Sequence, residues 1–142
     1  YYKSCIKLFE AQDLFSQRKY EEAADMLLLL RTVDFKEEDK KKFDKLNKDV
    51  MPAAANAAFN EGYRLFSTGK YQEAIDRLNK IQTYKNDYES MDRVLYYIGK
   101  CYMELNDSRN ATAVFQKIIS TYPQSKYSGY SKLRLDELTK IP

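Results

Sequence analysis

Three stretches of this 142-residue chain lie on one skeleton, and that repetition limits what the chain can fold into more than any other feature. In the last stretch Gly99 is followed by Tyr102, Ala111, Phe115, Ile118 and Pro123. Gly62, Leu65, Ala74, Leu78 and Ile81 repeat those intervals, and Ala11, Leu14, Ala23, Leu27 and Leu30 repeat them once more. Each time a small residue stands three before a large apolar one and twelve before an Ala, which opens an apolar stripe at plus four and plus seven. That stripe has the period of a helix. Between the small residue and the Ala lies a turn. It reads Arg18-Lys19-Tyr20-Glu21-Glu22-Ala23, then Gly69-Lys70-Tyr71-Gln72-Glu73-Ala74; Asn106-Asp107-Ser108-Arg109-Asn110-Ala111 keeps only the turn character. Gly69 and Asn106 tolerate the left-handed conformation that ends a helix. Each unit is therefore expected to be a helix, a tight turn and a second, antiparallel helix, with Gly62 or Gly99 facing Ala74 or Ala111 where the backbones approach.

The units are unevenly spaced. Gly62 and Gly99 are 37 apart, but Ala11 and Gly62 are 51 apart, so about half a repeat is inserted. The insert, Phe35 to Met51, is charged and helix-forming, with Phe43, Leu46 and Val50 on one face. Glu37–Lys41, Glu38–Lys42 and Asp44–Lys48 are spaced to pair along it. A separate extra helix would reverse the direction of everything after it. The spacing therefore predicts one long helix from about residue 36 to 67, kinked near Pro52. The alternative is a break at Met51-Pro52 with Pro at the first position of a new helix. A last helix, Lys126 to Thr139, should cap the stack, with Leu133, Leu135 and Leu138 covering the final repeat and Lys132, Arg134, Asp136 and Glu137 keeping the end soluble.

Composition excludes several functions. The net charge of +3 arises from 24 basic and 21 acidic residues mixed along the chain, without the one-sided basic face of a nucleic-acid binder. The longest apolar run, Met26 to Leu30, is five residues, too short to enter a membrane. There is no His, and the four Gly are not clustered, which removes the commonest general base and any phosphate-cradling loop. The Ser and Cys residues have no base arranged for them. The chain reads as non-catalytic, without metal or cofactor. Cys5 and Cys101 lie 96 apart without CxxC spacing and read as two unpaired, packed thiols, with a disulfide across the domain as the alternative. The chain begins at Tyr1 without Met and is expected to be a piece of a longer protein.

This arrangement resembles the tetratricopeptide repeat, most closely in Leu95, Ile98, Gly99, Tyr102, Ala111, Phe115 and Pro123. Glu61 and Glu10 depart from the family pattern at a place usually apolar, and neither of those units ends in the signature Pro. The resemblance implies an all-α fold of antiparallel helix pairs stacked in a right-handed superhelix. One domain, 1–142, would hold repeats over about 3–34, 53–84 and 90–123, an inserted helix over about 36–51 and a capping helix over about 126–139. The joint Tyr122-Pro123-Gln124-Ser125-Lys126-Tyr127 is similar to that of bacterial cell-envelope members, the Tol-Pal-associated and outer-membrane-assembly lipoproteins. It implies an extracytoplasmic place in an envelope or surface-anchored protein, with a cytoplasmic one as the alternative.

In such repeats the first helix of each pair lines a concave groove that holds a peptide or protein segment. Helical periodicity then directs Cys5, Leu8, Gln12 and Phe15 into it, followed by Asn56, Phe59, Tyr63 and Phe66. Arg93, Tyr96, Lys100 and Met103 come next, and Tyr127, Tyr130 and Arg134 continue the row. Rings with polar groups between them anchor apolar side chains and bond to a peptide backbone. Leu8, Phe15, Phe59 and Phe66 fit equally well as core. Chaperone-binding members hold a terminal carboxylate with Lys and Asn where this chain has Phe59 and Tyr63, so an acidic peptide terminus is not the expected ligand. The alternative function is self-association, the groove filled by the chain itself or by a second copy.

Overall fold

The computed structural model describes residues 1–140. It is all helical: α1 (Tyr2–Ser16), α2 (Tyr20–Leu30), α3 (Glu37–Ser67), α4 (Tyr71–Tyr84), α5 (Met91–Glu104), α6 (Ser108–Thr121) and α7 (Lys126–Thr139). Consecutive helices pack as neighbours. In addition α1 touches α3, α3 touches α5 and α5 touches α7, so the odd-numbered helices form one continuous layer. The fold is an all-α stack of the tetratricopeptide type. No helix among the described residues is long and apolar enough to cross a membrane.

Three similar turns make the helix pairs. Arg18, Gly69 and Asn106 have φ of 63°, 81° and 58°. In each turn the amide of the left-handed residue donates back three positions and the next amide donates back five, as in Lys19 to Leu14, Lys70 to Leu65 and Asp107 to Tyr102. This motif satisfies carbonyls that a helix end leaves open. Gly69 meets the backbone requirement without a Cβ and Asn106 is among the residues that tolerate it. Arg18, at the aligned position, does neither, and the left-handed conformation costs such a residue about 1–2 kcal/mol. Arg18→Gly should therefore stabilise the protein by about 0.5–1 kcal/mol after the added freedom of the unfolded chain is counted. A urea melt checks this; a lower midpoint would show that the Arg18 side chain contributes more than its backbone costs.

Of the two readings of the insert, the continuous helix is the one observed: α3 carries Pro52 inside its 31 residues, about 46 Å of helix at 1.5 Å per residue. Val50 is fully buried, and Phe43 and Leu46 are half-buried on the same face. Phe35, in the loop before α3, stacks on Phe43 at 5.5 Å and meets Tyr1 edge-on at 6.1 Å. The ion pairs along the insert differ from those expected. Glu38 lies 3.7 Å from Lys41 and Lys45 lies 3.2 Å from Asp49. These long, exposed side chains have several partners at nearly equal energy, so spacing alone does not select among them.

The close approaches fall at the expected glycines, but against Leu78 and Phe115, one helical turn beyond the Ala74 and Ala111 expected to face them. A Cβ on Gly62 would lie 2.6 Å from Leu78 Cδ2, and one on Gly99 would lie 2.6 Å from Phe115 Cε1. The main core runs from Leu8 through Leu27, Val50, Phe59 and Leu78 to Ile98 and Cys101, while Ala111, Phe115 and Ile118 form a smaller one under α7. Here the sequence reading of α7 needs correction. Leu135 and Leu138 pack on the small core, but Leu133 is 55% exposed, and Ser128 and Ser131 are buried in its place. Positions 128, 131, 135 and 138 share one helix face; residue 133 lies opposite. The Ser131 hydroxyl satisfies itself by donating to the Tyr127 carbonyl at 2.6 Å.

Candidate aromatic groove

The odd-numbered helices bring a row of rings together across α3, α5 and α7. Tyr63 meets Tyr97 edge-on at 5.2 Å, and Phe59 and Phe66 lie 6.4 and 5.3 Å from the same ring. Tyr97 adjoins Tyr96 at 5.9 Å, and Tyr96 reaches Tyr127 at 5.3 Å and Tyr130 at 5.9 Å. Two neighbouring tyrosines on α5 thus join the other helices, Tyr97 toward α3 and Tyr96 toward α7. Tyr97 was not among the residues expected in the groove. It stands four after Arg93, a helical spacing that would have marked it.

The joint before α7 sets the far end of the row. Ser125 caps α7 by accepting from the Tyr127 amide at 3.0 Å, and its hydroxyl donates to Asp92 at the start of α5 at 2.6 Å. That pair of bonds fixes the first turn of α7 against α5 and seats Tyr127 on Tyr96.

The other expected residues divide. Phe59 is 8% exposed and belongs to the core with one edge in the row, and Phe66 is half-buried beside Tyr71. Tyr63 and Tyr130 are the open rings, 41% and 44% exposed. Arg93 lies over Phe59, its guanidinium carbon 4.7 Å from the ring centre, with Tyr97 at 5.8 Å and Tyr63 at 6.0 Å. Lys100 is half-buried on the same helix. Met103 packs on the Phe115 core, and Arg134 pairs with Glu137 at 3.1 Å. Asn56 is exposed at the rim, where it accepts from the Tyr88 hydroxyl at 2.8 Å. Gln12 and Phe15 lie apart from the row. With Leu8 and Ser16 they line a separate cleft of about 260 Å³ against Lys42, Lys45, Leu46 and Asp49 of the insert. The extra turns of α3 cover that part of α1, which is why the row does not extend to it. Cys5 and Cys101 are both free thiols, and burial pushes the Cys101 thiol up to about 12.

Burial also raises the phenols of Tyr96 and Tyr97, an effect that Arg134 and Arg93 partly oppose. On the other layer Tyr84 is raised by burial and by its 2.9 Å bond to Asp25. Arg77, reaching Glu21 at 2.7 Å, ties the same two helices, α2 and α4. A phenol whose folded pKa exceeds its unfolded value of 10.0 holds its proton more tightly when folded. Its contribution to stability is complete below about pH 10 and falls as pH rises through the folded pKa. Tyr84, Tyr96 and Tyr97 should therefore resist ionisation, as should exposed Tyr1, whose hydroxyl donates to Asp39, so their phenolate signal should appear together with loss of helix. Phenolate absorbance followed beside helical circular dichroism checks this; a single wave of ionisation with the helix intact would refute it.

Among known families, residues 93–125, which cover most of α5, all of α6 and the joint before α7, match the tetratricopeptide repeat model. A comparison with curated proteins finds no match. Folds of this type are typically non-catalytic, and their repeats generally mediate protein–protein interaction. The matched repeat and the all-helical stack around it together support a tetratricopeptide repeat family for this chain.

Proposed function

We propose that this chain is a non-catalytic interaction module that holds a peptide or protein segment along the rings of α3, α5 and α7. The observation that carries the reading is the row itself, which spans three helices and leaves Tyr63 and Tyr130 open at its surface. Rings bury a large area at little conformational cost, and a half-exposed tyrosine also offers a hydroxyl to a backbone. The test is retention of a peptide library on immobilised protein. Tyr63→Ala with Tyr130→Ala should lose most retention while the melting temperature changes little, because both rings are already part-solvated. Leu29→Ser, at a more exposed apolar site on α2, should change neither. Undiminished retention by the double variant would overturn the reading.

The protein belongs, in this proposal, to a bacterial envelope or surface-anchored assembly. Support comes from the likeness of the Tyr122–Tyr127 joint to that of envelope members. Fractionation of cells that make the protein tests it, and a wholly cytosolic signal would contradict it.

One observation favours self-association as a second reading. The outer face of α1 exposes Tyr2, Ile6 and Phe9, with Lys3 and Lys7 toward its start and Glu10 and Asp13 toward its end. Two antiparallel copies would bring opposite charges together beside the apolar stripe. Light scattering from micromolar to near-millimolar concentration decides it; a monomer throughout removes this reading.

A further inference from the structure

The cations of the groove are less well matched than its rings. Arg93, Tyr97 and Lys100 share the outward face of α5 at intervals of four and three. Arg93 has no ion-pair partner among the described residues, and its Nε is buried without a hydrogen bond. Lys100 has no ion pair there either. On α7 the Arg134 guanidinium reaches Glu137 through Nη2, yet its Nε is likewise buried and unbonded.

Two carboxylates near these cations are otherwise engaged. Asp92 accepts from the Ser125 hydroxyl and from the Arg93 amide. Glu61 holds Arg64 at 2.6 Å, and the groove side of α3 offers Asn56, Asn60, Tyr63 and Ser67, all neutral. Glu89 and Glu104 stand four residues from Arg93 and Lys100, are exposed, and form no ion pair with them among the described residues.

A guanidinium lying over a ring keeps its N–H donors in its own plane, directed sideways and available to a planar acceptor. A carboxylate is the acceptor that fits such a fork, with two oxygens in the spacing of two N–H groups. On this basis we infer that the segment held by the ring row carries an Asp or Glu side chain beside an aromatic or aliphatic one. The carboxylate sits between Arg93 and Lys100, and the apolar side chain sits on Tyr63, Tyr97 or Tyr130. The inference rests on the groove reading and adds the charge of the occupant. Retention should accordingly weaken as salt rises.

Two pools of ten-residue peptides test it, both with acetylated and amidated ends so that no terminal carboxylate contributes. One pool fixes an aromatic and two Glu residues, and its twin replaces each Glu with Gln. At low salt the wild-type protein should retain the acidic pool about tenfold over its twin. Arg93→Gln with Lys100→Gln should bring that ratio to about one while the twin is still held by the rings. Lys100→Glu, which leaves the Arg93 stack untouched, should lower the ratio even if the double variant folds poorly. Equal retention of both pools by wild type overturns the inference and leaves the groove reading standing. Retention of neither overturns both.

Discussion

Phe115→Ala should cost this fold about 3–5 kcal/mol, the loss of a large ring from a site that cannot collapse. Phe115 is fully buried, its edge set against Gly99, its ring centre 5.9 Å from that of Tyr96, and its core shared with Leu135 and Leu138 of α7. Removing it undoes α5 against α6 and the seat of α7 together. A fall in melting temperature of roughly 10 °C or more should follow, with loss of Tyr127 from its place on Tyr96. Thermal and urea melts measure it. A cost below about 1 kcal/mol would mean that the third pair is not held by this core.

Gly99→Leu is expected to be comparably damaging for the opposite reason. Gly inside a helix ordinarily gains about 0.5–1 kcal/mol on replacement by Ala. At position 99 the first added carbon would fall 2.6 and 2.8 Å from two atoms of the fully buried Phe115 ring. Leu adds three further carbons, so the loss should reach about 3 kcal/mol. Gly129→Ala supplies the contrast, since nothing lies within 4 Å of a Cβ there and the change should stabilise α7. Shrinking the neighbour should also help: Gly99→Ala combined with Phe115→Leu should cost less than the two separate losses added together, as contacting residues do. Strict additivity would show that the two residues do not share the strain assigned to them.

The repeat skeleton was legible because it depends on volume and period, which sequence displays directly. Gly62 and Gly99 announce close approaches, and the structure has them against Leu78 and Phe115. The up-down order of a stack favoured a continuous α3, but the sequence left a break at Met51-Pro52 open, and the structure decides for one helix. Other features depend on relations the sequence does not display. Arg18 adopts the left-handed conformation although its type disfavours it, because the aligned turn must close. Leu133 looks like core by composition but lies across the helix from Ser131 and Leu135, and only the docking angle of α7 selects between the faces. Gln12 and Phe15 share the groove periodicity, yet the insert covers that stretch of α1. Tyr97 escapes a single-stripe periodicity because the ring row uses both flanks of α5, Tyr97 toward α3 and Tyr96 toward α7.

The central claim is that the ring row of α3, α5 and α7 is the contact surface. It is tested most directly by aromatic NMR of tyrosine-labelled protein titrated with a peptide retained from the library. Shifts are expected at Tyr63, Tyr96, Tyr97, Tyr127 and Tyr130, with Tyr20 and Tyr84 of the other layer unmoved. Shifts confined to that other layer, or to Tyr1 and Tyr2 of the α1 end, would contradict it.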